Sequence, residues 1–167
     1  MMKRIFCIAL FGMIGPGAAL AQNANVSFNA PAVEQSAPVE VTADELSVDQ
    51  NKGTATFAGN VVVGQGQMRL SANEITVNYL VENGAATGAI ERLVATGDVT
   101  LANGAEAAEA QKAVYVIGTG EVVMTGQVLL TQGPSGLSGE KLIVDLRTGT
   151  GRISGRVRTV FQTGSDQ

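Results

Sequence analysis

The sequence lacks the side chains on which most nucleophilic and zinc chemistry depends. It has no histidine, no tryptophan and a single cysteine, Cys7, near its first residue. Ser-His-Asp, Cys-His and zinc-type sites are therefore excluded from any mature chain that has lost Cys7. Carboxylates remain, but Asp44 and Glu45 would point to opposite faces of a strand, and for Glu106 and Glu109 ordinary solvation is expected. We predict a non-enzyme with no catalytic residues, no metal and no cofactor.

The first residues have the layout of a secretory signal peptide. Lys3 and Arg4 precede an apolar run over residues 5–14, and Ala19-Leu20-Ala21 matches an A-x-A cleavage site. The run is too short for a comfortable transmembrane helix, which needs about 20 residues. We expect cleavage after about Ala21, with an uncleaved anchor as the alternative. Cys7 leaves with the signal, and a thiol-free mature chain suits an oxidising compartment.

Aromatic and basic side chains are also scarce. Only 4% of residues are aromatic, and the formal charge of −4 becomes −6 without Lys3 and Arg4, which argues against nucleic acid as the main partner. With 21 glycines, 4 prolines and no sustained helical period, the composition indicates many short strands joined by glycine turns. We predict a polar, flexible leader over 22–38, one β domain over 39–161 and a tail over 162–167.

Two motifs recur in register along the chain. The tripeptide Gly-x-Val begins at Gly59, Gly97, Gly126 and Gly155. A second motif, a small residue followed by alternating apolar positions, begins at Ala43, Ala72, Ala110 and Gly139. The spacing alternates between 13 and 16 residues, except that nine extra residues fall within 81–90 and are predicted to be a surface loop. The 29-residue unit predicts an elongated, solenoid-like stack of antiparallel strands.

Alternation along each strand assigns the two faces of this stack. The residue after each Gly-x-Val glycine is polar and is predicted to face outward (Asn60, Asp98, Gln127 and Arg156). The predicted inward-facing set, which includes the candidate acyl-chain contacts, is Val39, Val41, Leu46, Val48, Phe57, Val61, Val63, Ile75, Val77, Leu101, Tyr115, Ile117, Met124, Val128 and Leu130. These columns either fill a core or line an apolar trough, in which each buried methylene of a lipid would contribute about 0.8 kcal/mol.

Charge separates the two ends of the predicted stack. Residues 22–51 carry five acidic side chains and no basic one, whereas residues 141–158 carry five basic side chains against Asp145. Opposite ends would attract, and unpaired strand edges would join copies head to tail into an open oligomer. We expect Val157 or Phe161 of one copy to meet Val39 or Val41 of the next. The alternatives are that the basic end contacts lipid phosphates, or that the charges are ordinary surface.

The repeated segments resemble a known family. FAGNVVVGQG, LSANEITV, VVMTGQVLLTQG and LSGEKLIVDLRTG are similar to the OstA-like domain of the LptA family of periplasmic lipopolysaccharide-transport proteins, over Val39 to Phe161. The segment PVEV matches the first strand of the family and supports Val39 and Val41 as inward positions. The resemblance implies a periplasmic β-jellyroll open at both ends, with acyl chains inside. It also implies a bridge that carries lipopolysaccharide between an inner-membrane LptC-like protein and an outer-membrane LptD-like receptor.

Other functions stay open at this point. An LptC-like member of the same system would keep an N-terminal anchor, and the receptor would carry a long barrel after this domain, whereas this chain has a cleavage site and ends at Gln167. A structural β-repeat protein of the cell surface would have the same ladders with a filled core. A carbohydrate-active β-solenoid would need a ladder of exposed carboxylates, which the repeat lacks.

Overall fold

The structure, a computed structural model, describes residues 38–160 and the backbone of Ala24–Ser27. The predicted signal peptide, most of the predicted leader, Phe161 and the tail lie outside the described residues. No helix in the described part is long and apolar enough to cross a membrane. The strands are β1 (Ala24–Ser27), β2 (Val39–Thr42), β3 (Glu45–Asp49), β4 (Thr54–Gln65), β5 (Met68–Glu82), β6 (Ala85–Asn103), β7 (Glu106–Val116), β8 (Glu121–Gln132), β9 (Ser135–Asp145), β10 (Thr150–Ser154) and β11 (Arg158–Val160).

All eleven strands belong to one antiparallel sheet. Its order is β1-β10-β9-β8-β7-β6-β5-β4-β2, so β4 to β10 pair with their neighbours in sequence. At one edge β2 and β3 both pair with β4, and at the other β10 and β11 both pair with β9. The two edges do not pair with each other, so the sheet is open. The all-β stack predicted from the repeat is confirmed.

Each Gly-x-Val motif is a corner, within a long strand for Gly59, Gly97 and Gly126 and between β10 and β11 for Gly155. The φ angles are 77°, 76°, 86° and 81° at the four glycines, and 47°, 47°, 51° and 43° at Asn60, Asp98, Gln127 and Arg156. Two left-handed residues in succession interrupt the ladder, and the register shifts at this point, for example between Ala58 and Val61. Such a bulge bends the strand and increases its twist. The motif was predicted to lie within regular strands, and the corner was not foreseen.

At three corners a polar residue of the second motif is hydrogen-bonded to the residue after the glycine. Asn60 Nδ2 donates to Asp44 Oδ2 over 2.8 Å, and Arg156 Nε donates to Glu140 Oε1 over 3.2 Å. At the second corner the direction reverses, since Asn73 Nδ2 donates to Asp98 Oδ2 over 3.1 Å. The 16-residue spacing of the sequence therefore joins two polar side chains across a corner, and this spacing grows to 25 residues at the Gly97 corner, which follows the insertion.

The nine extra residues form a hairpin rather than a loop. β5 and β6 continue to pair through Val81 with Ala86 and Glu82 with Ala85. The connection is Asn83-Gly84, with φ angles of 51° and 80°, as a two-residue type I′ turn requires. Residues 80–92 are exposed, so the hairpin projects from the domain.

The apolar side chains of the sheet form one core. A single layer cannot bury its own inner face, yet Ile75, Met124, Leu130, Leu142 and Ile153 are completely inaccessible. The two segments of each long strand therefore fold toward each other at the corners and enclose a common interior. The core contains residues from both segments. On β6, for example, Ala95 precedes the Gly97 corner and Leu101 follows it, and both lie in the core.

The predicted leader contains a strand. Ala24–Ser27 pair antiparallel with β10, from Ala24 opposite Ile153 to Ser27 opposite Thr150. β10 would otherwise present unpaired backbone groups at the edge of the sheet, which explains why a short segment of mixed polarity is ordered there. Part of the predicted flexible leader thus pairs with the far edge of the sheet.

Candidate functional site: the interior of the folded sheet

The inward-facing residues form continuous cross-strand ladders. One ladder runs Leu46, Phe57, Ile75, Ala95, Ala113, Met124, Leu142 and Ile153. Another, beyond the corners, runs Val41, Val63, Leu70, Leu101, Ala108, Leu130 and Leu137. Each ladder joins columns that the sequence assigned to the same face, so the parity assignment holds across all repeats. The interior is an apolar strip as long as the sheet.

The middle of this strip is filled. Of the predicted inward set, seven residues are at most 5% exposed and Val63 is 7% exposed; the seven are Val61, Ile75, Val77, Leu101, Met124, Val128 and Leu130. Phe57 and Tyr115 are half-buried and pack against the core. Burial raises the pKa of the Tyr115 phenol, so this side chain stays neutral at ordinary pH.

One end of the strip is open to solvent. Val39, Val41, Leu46 and Val48, which we call the apolar end, are 38–61% exposed. Val41 pairs with Val63, Leu46 with Phe57 and Val48 with Ala55, so they continue the inward ladders but have no strand on their outer side. Parity places them on the inner face, and they are exposed because burial of an end residue requires a neighbour on both sides; Val39 and Val41 were also predicted to meet a second copy at this edge.

Ile117 is the one member of the predicted set outside the ladders. It follows the last residue of β7, in the turn 117–120, and is 39% exposed. Its backbone N–H donates to the carbonyl oxygen of Glu91 over 3.1 Å. The strand alternation ends before this residue, so extending the parity to it was wrong.

The opposite end of the sheet carries the basic residues. Arg152, Arg156 and Arg158 are exposed there, and Val157 is half-buried against the core. Arg156 pairs with Glu140, which lies just outside the window that the sequence analysis counted as basic. Phe161, the other predicted contact residue, lies outside the described residues. The charge separation between the ends therefore persists but is partly compensated within the basic end.

Two cavities lie away from the apolar interior. The larger, about 420 Å³, is lined by Glu40, Thr42, Val62, Gly64 and Arg69 among others, on the outer face beside β2. The smaller, about 270 Å³, lies at the corner formed by Asn60, Asn73 and Asp98. Both are partly polar, and neither continues the ladders.

One inward-facing ladder is polar, and the sequence analysis missed it. Between the apolar ladder of Leu101 and the turns runs a polar rung that consists of Gln65, Met68, Asn103, Glu106, Gln132 and Ser135. Glu106 was expected to be solvated, yet its Oε2 atom is buried. Parity carried back four residues from Ala110 would have placed it inward.

An open antiparallel sheet folded over an apolar interior defines the class of this protein, an all-β jellyroll open at its ends. The structure of LptH from Pseudomonas aeruginosa, described as the LptA homologous periplasmic component of the conserved lipopolysaccharide transport device, superposes with a TM-score of 0.64. The match has 22% sequence identity and covers 78% of this chain and 99% of that one. At that identity it shows the fold.

Sequence comparison gives the family. Residues 40–150 match the family described as LptA/(LptD N-terminal domain) LPS transport protein. The chain belongs to this family of lipopolysaccharide-transport proteins. An uncharacterized protein of Rhizobium meliloti (strain 1021) is 29% identical over 110 residues, which are 64% of this chain and 59% of that protein. The chain thus matches about three fifths of the length of this relative.

Proposed function

We propose that the protein is a periplasmic bridge that binds lipopolysaccharide and carries it from the inner to the outer membrane, with acyl chains in the interior of the folded sheet. The observation that carries this is the apolar strip, which runs without interruption through the ladders and ends exposed at Val39, Val41, Leu46 and Val48. A protein that only needed a core would gain nothing from leaving four large apolar side chains in water at one end.

Acyl chains would enter by displacing contacts between the two halves of the sheet. The halves are connected through the corners, where a glycine and a second left-handed residue interrupt the ladder. A 14-carbon chain recovers about 10 kcal/mol when its methylenes are buried, at roughly 0.8 kcal/mol each, which can offset the separation of core side chains. Val, Leu and Ala form most of the packed interior, and an alkyl chain would lie along their ladders once the two halves have separated.

Self-association in a head-to-tail manner extends the same strip. The open edges of β2 and β3 at the apolar end are opposite in charge to the edge of β10 at the basic end, where β3 of a second copy would displace β1. The same edges would receive the inner-membrane LptC-like protein and the outer-membrane LptD-like receptor. We expect charge to set orientation and rate, because exposed ion pairs contribute only about 0–1 kcal/mol each.

Site-specific photo-crosslinking tests the proposal. A crosslinking residue at Val41, Val63 or Tyr115 should capture lipopolysaccharide in Gram-negative cells. One at Asn60 or at Val62 should not. Val62 and Val63 are a matched pair, since they are adjacent valines on β4 that face outward and inward respectively. Equal capture at inward and outward positions would rule out acyl-chain binding in the interior.

A structural β-repeat protein is the second candidate. The filled middle of the strip, with several side chains completely inaccessible, favours it. Mass spectrometry of the protein purified from Gram-negative cells separates the two functions. Co-purified lipid A supports the bridge, and its consistent absence together with failed crosslinking supports the structural repeat. The mass of the mature protein also tells cleavage after about Ala21 from an LptC-like anchor.

A further inference from the structure

The polar rung contains a half-buried glutamate, Glu106, with one carboxyl oxygen that is inaccessible to solvent. Glu106 opens β7 and lies between Asn103 on β6 and Gln132 on β8 in the ladder. Gln132 Nε2 donates to Glu106 Oε1 over 3.2 Å. The second oxygen, Oε2, is inaccessible to solvent and has no hydrogen-bond partner among the described residues. Asn103 beside it is only 6% exposed.

A buried carboxyl oxygen without a donor is uncommon. Most buried polar atoms in folded proteins have at least one hydrogen-bond partner, because burial removes the water that would otherwise supply it. The neighbouring strands offer none to Oε2, although Gln132 satisfies the other oxygen of the same group. A hydrogen-bond donor on a bound molecule would satisfy this oxygen.

The surroundings of Glu106 fix the chemical character of such a donor. Two residues further along β7 is Ala108, on the buried ladder with Leu101 and Leu130. Two residues of a strand span about 7 Å. A molecule that reached Oε2 from inside would thus have its donor group at the polar rung and an alkyl portion along the adjacent apolar ladder.

We propose that the polar rung is the hydrogen-bonding subsite of the lipid channel, in which Glu106 Oε2 accepts from a hydroxyl or amide N–H group close to the start of an acyl chain. This inference rests on the proposed lipid-binding function and adds a specificity element to it. The rung fixes the depth of a bound chain and selects amphiphiles that carry a donor near the alkyl group over plain alkyl esters.

The chain provides a matched control on the same strand. Glu109 is three residues from Glu106, is exposed, and pairs with Leu129 on the outer face. It is the same residue type in the same strand but on the opposite face. Substitution of Glu109 therefore changes charge to the same extent without reaching the interior.

The test uses three ten-carbon probes that displace the fluorescent alkyl-site probe N-phenylnaphthylamine from the full mature protein. Methyl 3-hydroxydecanoate carries a hydroxyl donor, N-methyldecanamide an amide donor and methyl decanoate none. The wild-type protein should bind at least one donor probe about tenfold more tightly than methyl decanoate, and which one identifies the donor. E106L should bind all three within about twofold, E106Q should keep a reduced preference because its amide oxygen still accepts, and E109L should match the wild type.

The outcomes distinguish a failure of the polar-rung subsite from a failure of the proposed lipid-binding function. If the wild type binds all three probes equally well, the polar rung is not a subsite, while lipid binding in the interior stands. If E109L loses the preference as fully as E106L, the effect is one of charge and the subsite is overturned. If no probe binds the wild type, the proposed function itself fails. Circular dichroism of each variant checks folding, and the comparison within the wild type needs no variant.

Discussion

Each corner of the sheet depends on two consecutive residues in a left-handed conformation. The first is always glycine, and the space a Cβ would fill is taken: beside Gly126 such an atom would lie 2.9 Å from Gln111 Cβ, and beside Gly97 3.0 Å from Asn73 Cβ. The second residue varies and is polar, and at the corners of Asn60, Asp98 and Arg156 its side chain is hydrogen-bonded to the facing polar side chain. The glycine is required on two grounds, conformation and space.

We predict that Gly126→Ala destabilises the protein by at least about 1–2 kcal/mol, since left-handed backbone alone costs an L-residue this much and the contact with Gln111 adds to it. Urea denaturation measures the change. The control is Gly136→Ala, because a Cβ at Gly136 meets nothing within 4 Å and its φ is not left-handed. Equal effects at the two glycines would contradict the role of the corner.

Two aspartates hold turns on the side of the sheet where the inserted hairpin also lies. Asp49 Oδ1 accepts from the backbone N–H groups of Asn51 and Lys52, and Asp145 Oδ1 accepts from those of Arg147 and Thr148. These backbone hydrogen bonds hold the pKa of both carboxyl groups below the ordinary value of about 3.9. A lowered folded-state pKa contributes stability above the unfolded value, and that stability is lost as pH falls through the folded-state pKa.

We expect Asp145→Asn to be less stable than the wild type at pH 7, and the difference to shrink as pH falls below about 4 and through the lowered folded-state pKa of Asp145. Unfolding by urea at a series of pH values measures the difference. A stability gap that stays constant from pH 7 to pH 2 would show that the charge of Asp145 does not act through these hydrogen bonds.

Among the elements, the β5–β6 hairpin stands apart from the repeat. It is largely exposed. It contacts the rest of the domain where the Val81 side chain lies beside Gly53 and where the Tyr79 N–H donates to the Gly53 carbonyl oxygen over 2.9 Å. The corresponding connection between β7 and β8 needs only residues 117–120. The hairpin is therefore an addition to a complete repeat.

We predict that residues 79–91 can be replaced by the four residues Ile-Gly-Thr-Gly of the 117–120 turn with a loss of stability below about 1 kcal/mol, because surface changes away from the core have small effects. Urea denaturation and the crosslinking pattern at Val63 measure the result. Unfolding of this variant would show that the hairpin contributes to the core.

At this scale the sequence predicted most of the fold. Alternation and the spacing of the two motifs predicted the strands, their order and their inner face. The face to which a side chain points depends only on its position along its own strand. The corners were not foreseen, because the same residue types occur in a regular strand and in a bulge, and the two differ only in their backbone angles. The insertion was read as a loop because its Gly, Asn and Ala content hides the pairing that Asn83-Gly84 allows.

The whole molecule has two ends of different character. β1 pairs with β10 in the register in which β3 pairs with β4: Ala24 and Leu46 both lie opposite the residue two before a corner glycine, Ile153 and Phe57 respectively. Val26 and Val48 are likewise opposite equivalent positions. The N-terminal strand thus occupies the place that β3 of a second copy would take in a head-to-tail contact.

We predict that a variant beginning at Pro38 forms longer oligomers than the mature protein at equal concentration, because it leaves the β10 edge unpaired. Light scattering over a concentration series measures oligomer length, and added salt should shorten the oligomers of both forms. Leu46→Lys combined with Val48→Lys should keep the truncated form monomeric, whereas Val62→Lys on the outer face should not. Identical size distributions for the truncated and full mature forms would contradict competition between β1 and a second copy.

The candidate site was less predictable than the fold. The sequence placed Val63, Leu101 and Met124 inward because parity suffices for them. It could not reveal that Leu46 and Val48 are exposed, since this depends on how many strands lie beyond them. Glu106 was assigned to solvent because its residue type outweighed its position, and a buried carboxyl is improbable on composition alone.

The strand count of the open sheet also determines the length that one copy would add to a filament. Eight strands run from β3 to β10, and at about 4.8 Å per strand they occupy about 38 Å. If β3 of the next copy replaces β1 on β10, the sheet continues without a gap and every copy adds that same length. The number of copies would then set the length of a filament, and one further 29-residue unit, with its two strands, would change that length by about 10 Å per copy.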